Sequence, residues 1–452
     1  MKRLIACLMT LTLLFSCVPG FAAWRENLDD YLGKVTYKID EEKYMGDMEL
    51  DDVELFWFHK EIGARAFANS SLSSIRLPEA LSIIGDGAFY GCKNLHEILI
   101  FPGVRRIGAN AFTGCAPDFV LHCFAGSYAE SYAKSNGIAY KAYEFGADLR
   151  LDNEFEIFAS LNCYPEVLEI PEQICSIPVT SVKGDAFEMQ PSLRRVHFPG
   201  SIKKLSQGAF KGCMSLEECT IGEGVREIEE FSFTYCHSLK KIDLPSTLKR
   251  LGWYSFRGCT ALESIVIPEG VEKIERLTFS SCSALRSVSL PSSIVEIDDA
   301  AFSECIGLKE FVVPENVRTL GRSAFWGCSS LERIVLPENI RLLDDDVFAK
   351  CSALRYVRLP ERLMIIDDRA FEECASLESI VLPGGVFKIG RQAFHDCSSL
   401  RSVTIPESVY SISDNAFEGC PKDLVIYGAE GSYAQRYAQE QGIAFKAVEL
   451  SA

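Results

Sequence analysis

A cysteine returns every 23 residues in this chain, at 213, 236, 259, 282, 305, 328, 351, 374, 397 and 420. A strict period of that length constrains the fold before any local propensity does, because it marks a stack of equivalent units. One unit reads Cys236, then Leu239, Ile242, Leu244, Pro245, Leu248, Leu251, Gly252, Ser255, Phe256 and Cys259. The leading leucine recurs without change from Leu193 to Leu400, the phenylalanine recurs from Phe210 to Phe417, and the proline is missing only at Gly222. A single unit of this kind cannot bury its own apolar residues, whereas stacked units can.

The stretch Leu239-x-x-Ile242-x-Leu244 alternates apolar and polar side chains, which is the strand signal. Proline ends it because proline has no amide hydrogen to continue a ladder. Each turn is therefore expected to contribute one short parallel strand. The residues between proline and cysteine return over the opposite face and send Ile, Leu and Phe inward. The expected fold is a leucine-rich-repeat solenoid of 23-residue repeats, with parallel strands on a concave face and an irregular or short-helical return face.

This pattern of cysteine, proline and Ala-Phe resembles the BspA-like, or Treponema pallidum-type, bacterial leucine-rich-repeat proteins, over roughly residues 62 to 450. The resemblance implies a curved repeat domain of surface or secreted proteins, associated with adhesion and binding of host proteins. It implies no chemistry and no cofactor.

The start of the chain gives an address. Residues 1–22 carry Lys2 and Arg3, an apolar run from Leu4 to Phe15 and small residues after it, which is the pattern of a secretory signal peptide. Gly20-Phe21-Ala22 suits ordinary signal peptidase, while Leu14-Phe15-Ser16-Cys17 resembles a lipobox that would make Cys17 a lipidation site. Both readings stay open. The expected location is the cell surface, the outer membrane or the medium, with a membrane link only through Cys17. No other apolar stretch reaches spanning length.

The whole chain has 46 basic and 63 acidic residues, for a net charge of −17; without Lys2 and Arg3 it is −19. That balance disfavours nucleic acid and heparin-like partners. Eighteen cysteines in an exported protein would ordinarily suggest disulfides. Here the side chains of the column all point the same way into the core, whereas a disulfide needs facing Cβ vectors. The column is expected to be buried thiols that pack as small apolar residues, with no metal. Cys219 takes an Ile or Val core position; Cys123, Cys163 and Cys175 lie outside the column.

The chain carries one terminal motif twice, 305 residues apart: Gly126-Ser127-Tyr128-Ala129 through Gly137 to Ala142, and Gly431-Ser432-Tyr433-Ala434 through Gly442 to Ala447. Each reads as a helix stopped by glycine and followed by a strand, a cap that covers the apolar end of a solenoid. Two modules are therefore expected, 23–146 with few turns and 147–452 with ten regular ones. An alternating stretch from Leu149 to Leu168 is expected to open the second as a hairpin.

Function in such a fold is carried by exposed columns. The residue after each leading leucine runs Arg194, Glu217, Lys240, Glu263, Arg286, Lys309, Glu332, Arg355, Glu378, Arg401, and eight of nine neighbouring pairs are opposite in sign. This reads as a salt-bridge ladder supporting the stack. Near its break at Arg286 and Lys309, Val312, Arg333, Val335, Arg355, Tyr356 and Arg358 form the candidate protein-binding strip, since interfaces favour Tyr and Arg anchors. The acidic sets Asp298-Asp299, Asp344-Asp345-Asp346 and Asp367-Asp368 lack calcium-loop spacing and read as a solvated face balanced by Arg322, Arg369 and Arg391.

No catalytic residue is expected. The six histidines lack metal spacing, no nucleophile elbow or phosphate loop occurs, and His237 beside Cys236 stands where other turns have Ser, Thr or Ala. Two functions remain. One is an adhesin-like module that presents the strand face to a host or matrix protein. The alternative is a structural or periplasmic scaffold that binds envelope partners of the same cell.

Overall fold

The computed structural model describes residues 60–150, 154–159 and 165–448, with the strands Lys38–Ile39 and Asp52–Glu54. Residues 1–22, where a signal peptide is expected, together with Cys17 and Cys163 lie outside the described residues. The chain divides into two compact units at Phe145 and Gly146.

In the second unit each turn supplies two strands, where the sequence pattern predicts one. The first is the expected strand-face element, such as Lys241–Asp243 or Arg333–Val335. The second is a two-residue strand on the flank, such as Lys273–Ile274 or Glu296–Ile297. Both pair in parallel with their counterparts 23 residues on: Glu310, Phe311 and Val312 face Arg333, Ile334 and Val335, and Lys273 and Ile274 face Glu296 and Ile297. Two residues are too short to display alternation. Their pairing comes from Ile274 and Ile297, both fully buried, which hold the flank backbone at strand spacing while Lys273 and Glu296 point out.

A third ladder runs through the tight turns around each phenylalanine. The amides of Gly208, Phe210 and Gly212 donate to the carbonyls of Glu230, Ser232 and Thr234 in the next turn. Residues two before and two after the phenylalanine are left-handed, for example Phe231 and Tyr235, Ala300 and Glu304, Asp346 and Lys350. Most are not glycine, and each such residue costs about 1–2 kcal/mol against an ordinary conformation.

Burial is organised by the same columns. From Phe187 to Phe417 consecutive rings stack at 5.1–5.7 Å with interplanar angles of 1–21°. The column cysteines from Cys213 to Cys420 are free thiols. They do more than fill space. From Cys213 to Cys420 each Sγ–H donates to the carbonyl of the phenylalanine one turn earlier, at 3.0–3.2 Å. The thiol is small enough to be buried and still satisfies a backbone oxygen, which a methyl group in its place would not do. Cys219 is buried between Val196 and Ile242 in the strand-face register, as its Ile-like position predicts.

The caps are built alike in the two units. Helices Tyr128–Asn136 and Tyr433–Gln441 start at Ser127 and Ser432, whose side chains accept from the amides of Glu130 and Gln435, and end at left-handed Gly137 and Gly442. Tyr132 and Tyr437 each donate a hydroxyl hydrogen to a backbone carbonyl of the last turn, Gly108 and Asp414. The closing strands Tyr140–Tyr143 and Ala444–Ala447 then pair in parallel with Val120–Phe124 and Val425–Gly428. In the first unit the same flank ladder passes through Glu61–Ile62, Ile83–Ile84 and Arg106–Ile107, and Cys92 donates to the Phe67 carbonyl.

The opening of the second unit differs from the sequence reading. Phe145–Leu149 and Phe155–Ala159 are the adjacent strands, and Val167–Glu169 belongs instead to the strand-face sheet, paired with Arg195–Phe198. The alternation from Leu149 to Leu168 spans two sheets because both Ile157 and Leu168 are core residues, so polarity alone did not separate them.

The thiol column makes stability sensitive to alkali. Burial pushes the Cys282 and Cys328 thiols from about 9 up to about 12. The folded state thus keeps a proton that the unfolded chain releases above pH 9. The contribution is intact below pH 9 and is lost as pH rises from 9 toward 12, by about 1.4 kcal/mol per buried thiol at pH 10. Melting temperature should fall steeply between pH 8 and 10, and a Cys282→Ala, Cys328→Ala variant should show a smaller fall over that interval. A second measurement addresses the strained turns. Ala300→Gly should raise unfolding stability by about 1 kcal/mol, because Gly208 fills the same position without strain. The same change at buried Ala324 should lower it.

Candidate functional site

Five of the six residues of the predicted binding strip lie on three successive strands of the second unit, and the sixth, Arg355, directly precedes the third. Glu310–Val312, Arg333–Val335 and Tyr356–Arg358 form one parallel sheet in which Val312, Val335 and Arg358 align in one column and Arg333 and Tyr356 in the next. Arg355 precedes the third strand and donates its amide to the Glu332 carbonyl. The alternation of the strands decides which atoms face water: Phe311 and Ile334 enter the core, and Val312 stands 79% exposed.

The aromatic anchor is already organised. The Arg333 guanidinium lies over the Tyr356 ring, 4.8 Å from its centre, and Arg358 reaches Glu338 at 3.7 Å. The contact restricts the Tyr356 ring, so less side-chain freedom is lost when a partner covers it. Further along the same 23-residue register Val266 and Val381 are 66% and 68% exposed, with Ser289 and Arg358 standing between them and the central strip. A β-branched residue favours the strand wherever it sits, but three this exposed in one column leave apolar area uncovered.

The charged column beside this strip is looser than its signs suggest. Among the described residues only Arg194 with Glu217 and Lys240 with Glu217 come within ion-pair distance, at 3.1 and 3.9 Å. At the far end Arg401 pairs with Asp423 rather than Glu378. Opposite signs one strand apart do not force contact, because exposed side chains gain little by surrendering their freedom. The interturn backbone ladders, not this column, hold the stack.

The acidic turns are held by the expected arginines. Arg369 is bidentate to Asp346 at 2.7 and 2.9 Å, Arg391 bonds Asp368 and Arg322 lies near Asp344 and Asp345. Carboxylate oxygens of Asp344, Asp345 and Asp367 lie within 4.8 Å of one another, and Lys388 bonds Asp367 at 2.9 Å. Burial first, and then Asp367, raise the Asp345 carboxyl above its usual range.

Cys236 and His237 do not form a dyad. The Cys236 thiol donates to the Phe210 carbonyl inside the core, while the His237 Nδ1 lies 2.9 Å from the Gly258 carbonyl. Burial raises the Cys236 thiol far above the range in which a thiolate forms.

Sequence reasoning missed one exposed group on the turn face. Phe231, Trp253 and Tyr254 make mutual ring contacts at 4.9–6.0 Å, and Arg257 sits over the Tyr235 and Tyr254 rings at 5.7 and 5.4 Å. The signal was present: aromatics fill the left-handed positions in these two adjacent turns, where other turns have Gly208, Ala300 or Ser323.

A family model described as BspA type leucine rich repeat region matches residues 32–121, 158–286, 251–374 and 322–438. A leucine-rich repeat protein of Bacteroides ovatus is similar at 25% identity over 91% of this chain and 87% of its own, with a TM-score of 0.49. A leucine rich cell surface protein of Faecalibacterium prausnitzii is similar at 24% identity over 66% of this chain and 96% of its own, with a TM-score of 0.42. For the T. pallidum leucine rich repeat protein the values are 22%, 67%, 95% and 0.31. A comparison with curated proteins gives no match. The cysteine, proline and phenylalanine columns, the capped parallel solenoid and the matched family model together identify the chain as a member of the BspA-type leucine-rich-repeat family.

Proposed function

We propose that this protein is an exported, non-catalytic binding protein, which presents the strand face of its second unit to a protein of the host surface or matrix. The observation that carries the reading is the exposed column of Val266, Val312 and Val381 beside the stacked Arg333 and Tyr356. Valine's strand preference accounts for its place in the strands, and a partner protein would cover the apolar area that it leaves exposed. Tyr356, Arg358 and Arg355 supply the aromatic and guanidinium anchors, and Val312 and Val335 supply the apolar floor.

The amino-terminal signal pattern of residues 1–22 supports export, and Cys17 is the proposed point of lipid attachment. Among the described residues no helix is long and apolar enough to cross a membrane. The family described above supports the binding role in kind, and the net charge of −17 directs the search toward proteins rather than polyanions.

Two measurements check this. Protease added to intact source cells should degrade the protein, and a Cys17→Ala variant should appear in the medium; full protection in intact cells would contradict surface display and leave the envelope scaffold. In a panel of immobilised matrix proteins, Tyr356→Ala combined with Arg358→Ala should weaken saturable binding about 10- to 100-fold. Melting temperature should stay unchanged, since both side chains face water and lie outside the core.

A further inference from the structure

A second surface lies on the flank of the second unit, separate from the strand face, and its chemistry is set by three arginines. Two residues after each proline, most turns place a small or amide side chain that stitches one turn to the last. Thr247 and Ser293 bond the carbonyls of Val225 and Val271, and Asn316 and Asn339 bond those of Ser292 and Glu315. Arg362 breaks this column with a cation. It lines a cavity of about 480 Å³ together with Arg318, Arg341, Asn339, Thr319 and Asp344.

The three arginines are not neutralised by ion pairs. Nearby Arg322, Arg358, Arg369 and Arg391 each reach a carboxylate, whereas Arg318, Arg341 and Arg362 are in no ion pair among the described residues. Asp344, the acid of the cavity, is turned to Arg322 at 3.5 Å. Arg318 and Arg341 stand 23 residues apart, each directly before a flank strand, and both line the cavity, so they repel unless an anion lies between them. Lys203, Arg226 and Lys249 fill the same column higher in the stack, but there Glu227 and the bonded Glu229 and Glu230 sit alongside. At the cavity the adjoining positions are the uncharged Thr319 and Leu342.

Beyond Arg341 the same column becomes apolar, running through Met364, Phe387 and Tyr410. Met364 and Tyr410 are 39% and 65% exposed, the Phe387 and Tyr410 rings stack at 5.4 Å, and Leu342 beside them is 37% exposed. A cationic cradle thus opens onto an apolar strip that spans roughly 10 Å from Met364 to Tyr410 at the ~4.8 Å step of the stack.

We infer that this flank binds an extended acidic peptide segment, whose carboxylates enter the cradle of Arg318, Arg341 and Arg362 and whose apolar side chains lie along Leu342, Met364 and Tyr410. Guanidinium groups pair with carboxylates bidentately, which gives both direction and register. A long polyanion such as a sulfated glycan fits less well, because the cations end at Arg362 and the rest of the chain repels it. The inference stands apart from the strand-face reading and does not need it.

The test uses a fluorescein-labelled decapeptide with four glutamates in its first half and phenylalanine and leucine in its second, titrated into the full-length protein and read by fluorescence anisotropy. Arg341→Ala with Arg362→Ala should weaken binding at least about tenfold, as should a peptide with glutamine for glutamate. Met364→Ser with Tyr410→Ser should weaken it several-fold, and Tyr356→Ala should leave it unchanged. All substituted side chains are at the surface, and a thermal melt confirms that each variant is folded. Absence of peptide binding, or binding indifferent to the arginine substitutions, would overturn the inference. A sulfated octasaccharide that binds more tightly than the peptide would overturn the peptide as occupant.

Discussion

The second unit depends on parallel ladders that align each residue with its counterpart 23 positions later. A parallel ladder has one repeat distance, so each side chain sits directly on its equivalent in the next turn. Identity down a column is then a packing requirement. Phenylalanine stacks on phenylalanine with nearly parallel rings, leucine on leucine, and a thiol on the carbonyl of the preceding turn. Columns that point to water carry no such requirement, and their sequences drift. The division between conserved and free positions within one chain is itself the map of core and surface.

Three ladders share the load: the strand face, the flank and the tight turns. The turns accept left-handed non-glycine residues such as Leu277 and Arg369 because each amide there is satisfied by the following turn. The cysteine column belongs to the same logic. Serine would offer a hydrogen bond but bring a strongly solvated hydroxyl into the core, and alanine would lose the donor. A thiol has the volume of a small apolar group and a weak S–H that suits a carbonyl already bonded to a backbone amide.

The columns of Leu, Phe and Cys were legible from the sequence because they recur ten times, that of Pro because it recurs nine times, and the caps because Gly137 and Gly442 end two copies of one motif. The flank strand was not legible, since Lys273 and Ile274 are too short a stretch to show a period. The thiol donors were read as filler because spacing fixes where Cys305 lies, not that Phe279 presents a carbonyl 3.1 Å away. The charged column shows the opposite error: Glu263 and Arg286 alternate in sign as a ladder would, yet sign says nothing of reach. For the candidate site, reading the strand columns vertically placed Val312, Arg333, Val335, Tyr356 and Arg358 on one patch. The stacking of Arg333 on Tyr356, the aromatic group around Trp253 and the unpaired arginines near Arg362 depend on rotamers and on neighbours in other turns, which a linear pattern does not carry.

The claim that most needs a direct measurement is that the tight-turn ladder bonds the stack as firmly as the two sheets do. Native-state amide hydrogen exchange of the full-length protein reports it residue by residue. The account predicts slow exchange that recurs every 23 residues at the phenylalanine amides, Phe210 through Phe394, matching the protection of Ile242 or Ile334 on the strand face. Fast exchange at those phenylalanines, with protection confined to the strand-face residues, would contradict it.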